Sequence, residues 1–208
     1  DKNKYEYAGA GGGFIDKFGF PFCRGRLFDT LENKDIYASD YIFWASGACF
    51  FIKNEVFTSL GGFDSDFFAH QEEIDLCWRA FNKNHKAFYC AESTVYHVGG
   101  ATLEQGNPHK TFLNFRNSLC MMAKNLPKSK LFPIIFIRLC LDGIAGIRFL
   151  LQGKFKHLWA VFISHFAFYA RLNKMLKKRD GFSKSNYYYT NSVVYQYFVK
   201  GNKYFRDI

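Results

Sequence analysis

Residues 45–100 read ASGACFFIKNEVFTSLGGFDSDFFAHQEEIDLCWRAFNKNHKAFYCAESTVYHVGG, and the fold turns on them. Leading into this stretch, residues 41–52 (YIFWASGACFFI) form a short apolar run rich in aromatics, which reads as a buried strand. Gly47 and Ala48 remove side-chain bulk in mid-strand and leave room for a ligand or another backbone. Residues 53–60 carry one or two helical turns, stopped by Gly61-Gly62. Residues 71–83 have the period of a helix. Ile74, Cys77, Trp78 and Phe81 stand at i, i+3, i+4 and i+7 and make its core stripe. Glu72, Asp75 and Arg79 fall on the opposite face, with Asp75 and Arg79 in register to pair at i, i+4. Glu73 sits at the border of the stripe, where a side chain at a helix start can point along a cleft floor. Residues 86–90 (KAFYC) and 94–98 (TVYHV) read as two further strands.

Upstream, residues 1–40 are rich in glycine and aromatics. Gly11-Gly12-Gly13 invites comparison with a phosphate loop. Such a loop needs a strand before it and a helix N-terminus after it. Residues 14–19 carry no helical stripe and Pro21 soon follows, so this glycine run reads as an ordinary loop. The chain opens on Asp1 with no signal-peptide pattern, and its first residues resemble the middle of a domain, so a fragment or a processed chain is expected.

Downstream, residues 109–126 are helical in pattern and stop at Pro127. Residues 131–152 are almost wholly apolar, except that Arg138, Asp142, Arg148 and Gln152 share an arc of about 120°. Those charges argue against a simple membrane span, and an in-plane interfacial helix fits better. Residues 155–172 read as a second such helix, followed by the basic run 174–179. The closing YYYTNSVVYQYFVKGNKYF has the look of a membrane-interface belt.

Charge follows the same division. Residues 1–118 hold 12 Lys+Arg against 15 Asp+Glu, and residues 119–208 hold 16 against 3, of 28 and 18 in the whole chain. A basic, aromatic tail points to an anionic surface, and its long apolar runs favour a membrane over nucleic acid. The six cysteines include no Cys-x-x-Cys pair and several lie in apolar runs, as expected of reduced thiols in a cytosolic setting.

Four features in order carry a family resemblance: Gly47-Ala48-Cys49, Gly61-Gly62-Phe63-Asp64, Glu72-Glu73-x-Asp75-Leu76-Cys77-x-Arg79 and His97-x-Gly99-Gly100. Together they resemble the acceptor half of a family 2 glycosyltransferase of the GT-A fold, rhamnosyltransferase-like, over roughly residues 1–120. The expected fold class is therefore α/β: a partial GT-A (nucleotide-diphospho-sugar transferase) domain over 1–120, then a basic, amphipathic helical region over 121–208. The resemblance implies an inverting transfer from a nucleotide-sugar donor to a cell-envelope glycan or lipid-linked acceptor, at the cytoplasmic face of the cell membrane.

Such a transfer needs a base for the acceptor hydroxyl, cations for the leaving diphosphate, and a cleft that aligns the two substrates. The resemblance puts the base at the second residue of the acidic pair, Glu73, next to Glu72. The family usually has Asp there, one methylene shorter. Ionisation of Glu73 is favoured by the helix N-terminus and opposed by Glu72 and Asp75. The resemblance makes His97 a ligand for Mg²⁺ or Mn²⁺, completed by an Asp-x-Asp motif in a nucleotide-binding half upstream. Asp64-Ser65-Asp66 has that spacing but stands at the turn before the base helix, so it is not expected to hold metal. The fragment alone is expected to be inactive. Asp75, Arg79, Trp44 and His70 are candidates for acceptor contacts, though Trp44 equally suits a core. Arg116-Asn117 also matches a family feature after the cleft.

Two other classes remain. One is a metal-dependent hydrolase using His70, Glu73, His97 and His109, since His70 and Glu73 share a helix face at i, i+3; no His-Glu-x-x-His pattern accompanies them. The other is a non-catalytic module that binds membrane or glycan.

Overall fold

The computed structural model describes residues 4–5, 9, 11–33, 36–96, 106–181 and 183–208. It is a mixed α/β chain with small antiparallel sheets. Two compact units divide it: Asp1–Phe63 with Leu76–His97 and Asn186–Ile208, and Asp64–Asp75 with Val98–Ser185. The chain crosses between them more than once.

In the first unit, β1 (Gly13–Ile15), β2 (Pro21–Cys23), β3 (Arg26–Leu27) and β4 (Thr30–Leu31) form an antiparallel sheet in that order. A second pair joins β5 (Asp40–Ile42) to β6 (Ala87–Tyr89), with Tyr41 opposite Phe88. The glycine run is a lid on Trp44. A Cβ on Gly13 would lie 2.0 Å from the Trp44 ring, and one on Gly9 would lie 2.6 Å from it. The Trp44 indole N–H donates to the Phe14 carbonyl at 2.7 Å, which satisfies its polar end in a buried place.

The strand expected over residues 41–52 is confined to Asp40–Ile42. Residues 45–52 belong to no ladder, and Phe51 is 96% exposed. An apolar run becomes a strand only where neighbouring backbone completes its hydrogen bonds. Residues 94–96 are likewise exposed and not a strand, while 97 and 98 lie outside the described residues.

Helix α1 (Asn54–Ser59) ends as its glycines dictate. Gly61 and Gly62 take φ of 78° and 66°, and their N–H groups return to the carbonyls of Thr58 and Phe57.

Several of the C-terminal aromatics are core, while Tyr189, Tyr195, Phe198 and Tyr204 are exposed. Tyr187, Val193, Tyr197 and Phe205 are buried, the last three in one core with Phe22 and Leu27. Their hydroxyls find partners: Tyr187 donates to the Lys17 carbonyl at 2.7 Å, and Tyr197 pairs with Thr30 at 2.9 Å. Buried Asp16 accepts from the backbone N–H groups of Phe18, Phe20 and Val193. Aromatic rings bury well once the hydroxyl is met, and composition alone cannot tell such a core from a belt.

Helix α2 (Glu72–Asn82) has the expected stripe, with Ile74 and Trp78 buried and Cys77 and Phe81 partly so. The second unit is built on α3 (Pro108–Asn125), α4 (Lys128–Leu151) and α5 (Phe155–Lys177). Asn107 caps α3 by accepting from the His109 N–H, with Pro108 at the first helical position. The polar arc read on α4 is split: Arg138 and Asp142 are buried, at 4% and 0% exposure, while Arg148 and Gln152 are exposed. Arg138 donates to Asp142 at 2.7 Å and to Ser118 of α3 at 2.9 Å.

Candidate active site

The approach to α2 belongs to the second unit, and α3 holds it in shape. Asn117 donates from its amide to the carbonyls of Phe67, Ala69 and His70 at 2.9, 2.8 and 2.8 Å. Arg116 donates to the Phe67 carbonyl at 3.0 Å and to the Asn117 side-chain oxygen at 2.7 Å. Between these anchors the backbone takes a conformation that side chains resist: Phe68, His70 and Gln71 have φ of 65°, 68° and 74°. Strain of this kind persists only where surrounding bonds over-determine it, and it gathers at functional sites. Arg116-Asn117 thus acts by fixing the loop that delivers the acidic pair.

The loop ends in four polar residues in a row. Nε2 of His70, Oε1 of Gln71 and Oε2 of Glu72 are buried and have no hydrogen-bond partner among the described residues. Oε2 of Glu73 is buried as well, in a half-buried side chain. Burial raises the Glu72 carboxyl above its ordinary value. Burial, then Lys110 and His109, lowers the His70 imidazole, so it is neutral near pH 7. Unsatisfied buried polar atoms are costly, so a run of them is suited to meet the hydroxyl groups of a ligand. The helix start adds its own preference for negative charge.

The remaining candidates are dispersed. Asp75 is not on a solvated face: it is fully buried and accepts from Lys124 at 2.8 Å and Asn125 at 2.8 Å. Arg79, in the first unit, donates to the carbonyls of Leu60 and Gly62, tying α2 to the end of α1. Trp44 is buried beneath the glycine run and presents no ring face to a sugar. His97 lies outside the described residues. Among the described residues no group of three or more His, Cys, Asp or Glu could hold a metal ion, so His70, Glu73 and His109 form no hydrolase centre by themselves.

Asp64-Ser65-Asp66 is committed to lysines. Lys124 reaches Asp64 at 2.7 Å, Lys178 reaches Asp64 and Asp66 at 2.6 Å each, and Lys174 reaches Asp66 at 2.5 Å. Burial would raise Asp64, but the hydrogen bonds from Lys124 and Lys178 outweigh it and hold the carboxyl well below its usual range. Lys124 and Asn125 were not singled out in the sequence. The signal that could have found them is polar residues on the buried side of an amphipathic helix.

Within the first unit lies a separate open cleft of about 1290 Å³, with Tyr41, Phe50, Phe88 and Tyr188 among its walls.

No family profile matches the chain, and no solved structure matches it. Among curated proteins it matches a low-salt glycan biosynthesis hexosyltransferase of Haloferax volcanii, 28% identical over 120 residues, 55% of this chain and 38% of that protein. The chain therefore spans well under two thirds of that relative. The class this supports is glycosyltransferase in general.

Proposed function

We propose that the chain is the acceptor-side part of an inverting family 2 glycosyltransferase of the GT-A fold, with Glu73 as general base. The observation that carries this reading is the anchored loop 67–71, which sets His70, Gln71 and Glu72 with unmet polar atoms at the head of α2 beside Glu73. The distant hexosyltransferase relative supports the same class. The acceptor hydroxyl oxygen bonds to the anomeric carbon of the donor sugar while the bond from that carbon to the diphosphate breaks on the opposite side. The hydroxyl proton passes to the Glu73 carboxylate. Burial raises the carboxyl of the neighbouring Glu72. Neutral His70 is suited to accept or donate a hydrogen bond to an acceptor hydroxyl.

The donor in this reading is a nucleotide sugar, and the acceptor a glycan or lipid-linked glycan at the cytoplasmic face of the membrane. A Mg²⁺ or Mn²⁺ ion held by His97 and an upstream Asp-x-Asp would neutralise the diphosphate. The test is Glu73→Gln in the intact enzyme, nucleotide-binding half included, supplied with donor and acceptor. Transfer falls by about 10²–10⁴-fold, the usual worth of a positioned base, while donor affinity is unchanged. Wild-type turnover in that variant rules Glu73 out as base.

A further inference from the structure

From the hairpin α4–α5 we infer a seat for an anionic phospholipid surface, with the helices lying against the bilayer by their outer faces. The hairpin buries a charged pair and exposes a broad apolar face. Its charged pair, Arg138 and Asp142, is buried against Ser118, and His165 Nε2 lies 3.4 Å from the same carboxylate. Ile134, Phe168 and Met175 are buried, but many of the hairpin's large apolar side chains point outward: Phe132 is 81% exposed, Leu151 82% and Trp159 61%. Phe136, Ile144, Ile147, Phe155, Phe162 and Phe166 are exposed with them. In water both choices are unfavourable, because buried charges lose solvation and a broad apolar face stays wet. Against an apolar medium both become favourable. Among the described residues no helix is long and apolar enough to cross a membrane.

Charge selects the occupant. From Lys128 to Lys177 the sole acidic residue is Asp142, which is buried, while Lys128, Arg148, Lys154, Lys156 and Lys177 are exposed. A face that is apolar at its centre, cationic at its margins and free of exposed acids complements lipid headgroups over acyl chains. Beside the hairpin turn runs a groove of about 590 Å³ with Phe112, Phe155, Trp159 and Ile163 as apolar walls and Lys156 among its lining residues. That pairing suits one acyl chain and one phosphate. The inference stands on these helices and does not depend on the transfer reaction.

Of the three tryptophans, Trp44 and Trp78 are buried, so Trp159 is the indole that lipid can reach. The full chain is mixed with vesicles of phosphatidylglycerol and phosphatidylcholine carrying brominated acyl chains. Trp159 is expected to be quenched, and Trp159→Phe to lose the quenching while still co-sedimenting. Lys154→Glu with Lys156→Glu weakens binding by about ten-fold or more, and pure phosphatidylcholine binds weakly. Leu151→Asp with Phe155→Asp abolishes binding with an unchanged circular dichroism spectrum. Equal binding to neutral and anionic vesicles, or binding that leaves Trp159 unquenched, overturns the proposal. So does self-association that shields Trp159 without any vesicle binding, which would make a second copy the occupant.

Discussion

Asn117 is a small side chain holding a large consequence. Its amide meets the carbonyls of Phe67, Ala69 and His70 in a loop whose backbone is driven into the left-handed region at three residues. Asn117→Ala takes this donor from the Ala69 and His70 carbonyls and is expected to cost about 1–3 kcal/mol, read as a lowered denaturant midpoint. Under the proposed function, transfer by the intact enzyme should fall with it, with donor affinity retained. Gly13 is a second such point. Gly13→Ala places a methyl 2.0 Å from the Trp44 ring, where only backbone fits, and should cost about 1–3 kcal/mol or prevent folding. A sequence shows that a glycine is present. It does not show that an indole lies beneath it, because the two are 31 positions apart and nothing local links them.

At the scale of elements, the strength of the periodic signal decided what could be read. Helices α2 and α3 and the glycine stop of α1 were legible because helical period and capping are local physics. The strand over 41–52 was over-extended, because pairing is non-local and composition carries no record of it. The face of α2 with Asp75 was misread for a related reason: hydropathy scores a carboxylate as solvated, and it cannot see Lys124 arriving from α3. Lys124→Met tests this. It strands the wholly buried Asp75 carboxylate, and a cost of about 3–5 kcal/mol is expected by thermal or chemical unfolding. Adding Asp75→Leu should recover much of that loss, since removing both ends of a buried pair is mild. On α4 the polar arc was legible but not its direction, since a helical wheel gives an angle without saying which side is covered.

For the molecule as a whole, the charge division between its two parts was plain from the residues, and its destination was only partly so. Some of the downstream cations bind anionic side chains: Lys124, Lys174 and Lys178 gather on Asp64 and Asp66. That network sets an acid limit. Asp64 and Asp66 are harder to protonate folded than unfolded. Their contribution is complete above the ordinary carboxylate range and is lost as pH falls through the depressed folded values. A denaturant midpoint followed downward from pH 7 should therefore decline below about pH 4, and less steeply in Asp64→Asn. Of the candidate active residues, the acidic pair and its helix were legible. The unmet polar atoms beside them were not, because a missing partner is a property of three dimensions.

The bond from the Val193 amide to the Asp16 carboxylate joins groups 177 residues apart. With Tyr187 and Phe205 it makes the last part of the chain a wall of the core around the first strands. During synthesis the sheet β1–β4 must then wait on the ribosome, its aromatics uncovered, until residues 187–205 have emerged. The expected consequence is dependence on holdase chaperones in the cell, and a nascent chain stalled before residue 185 should stay sensitive to protease over residues 13–31.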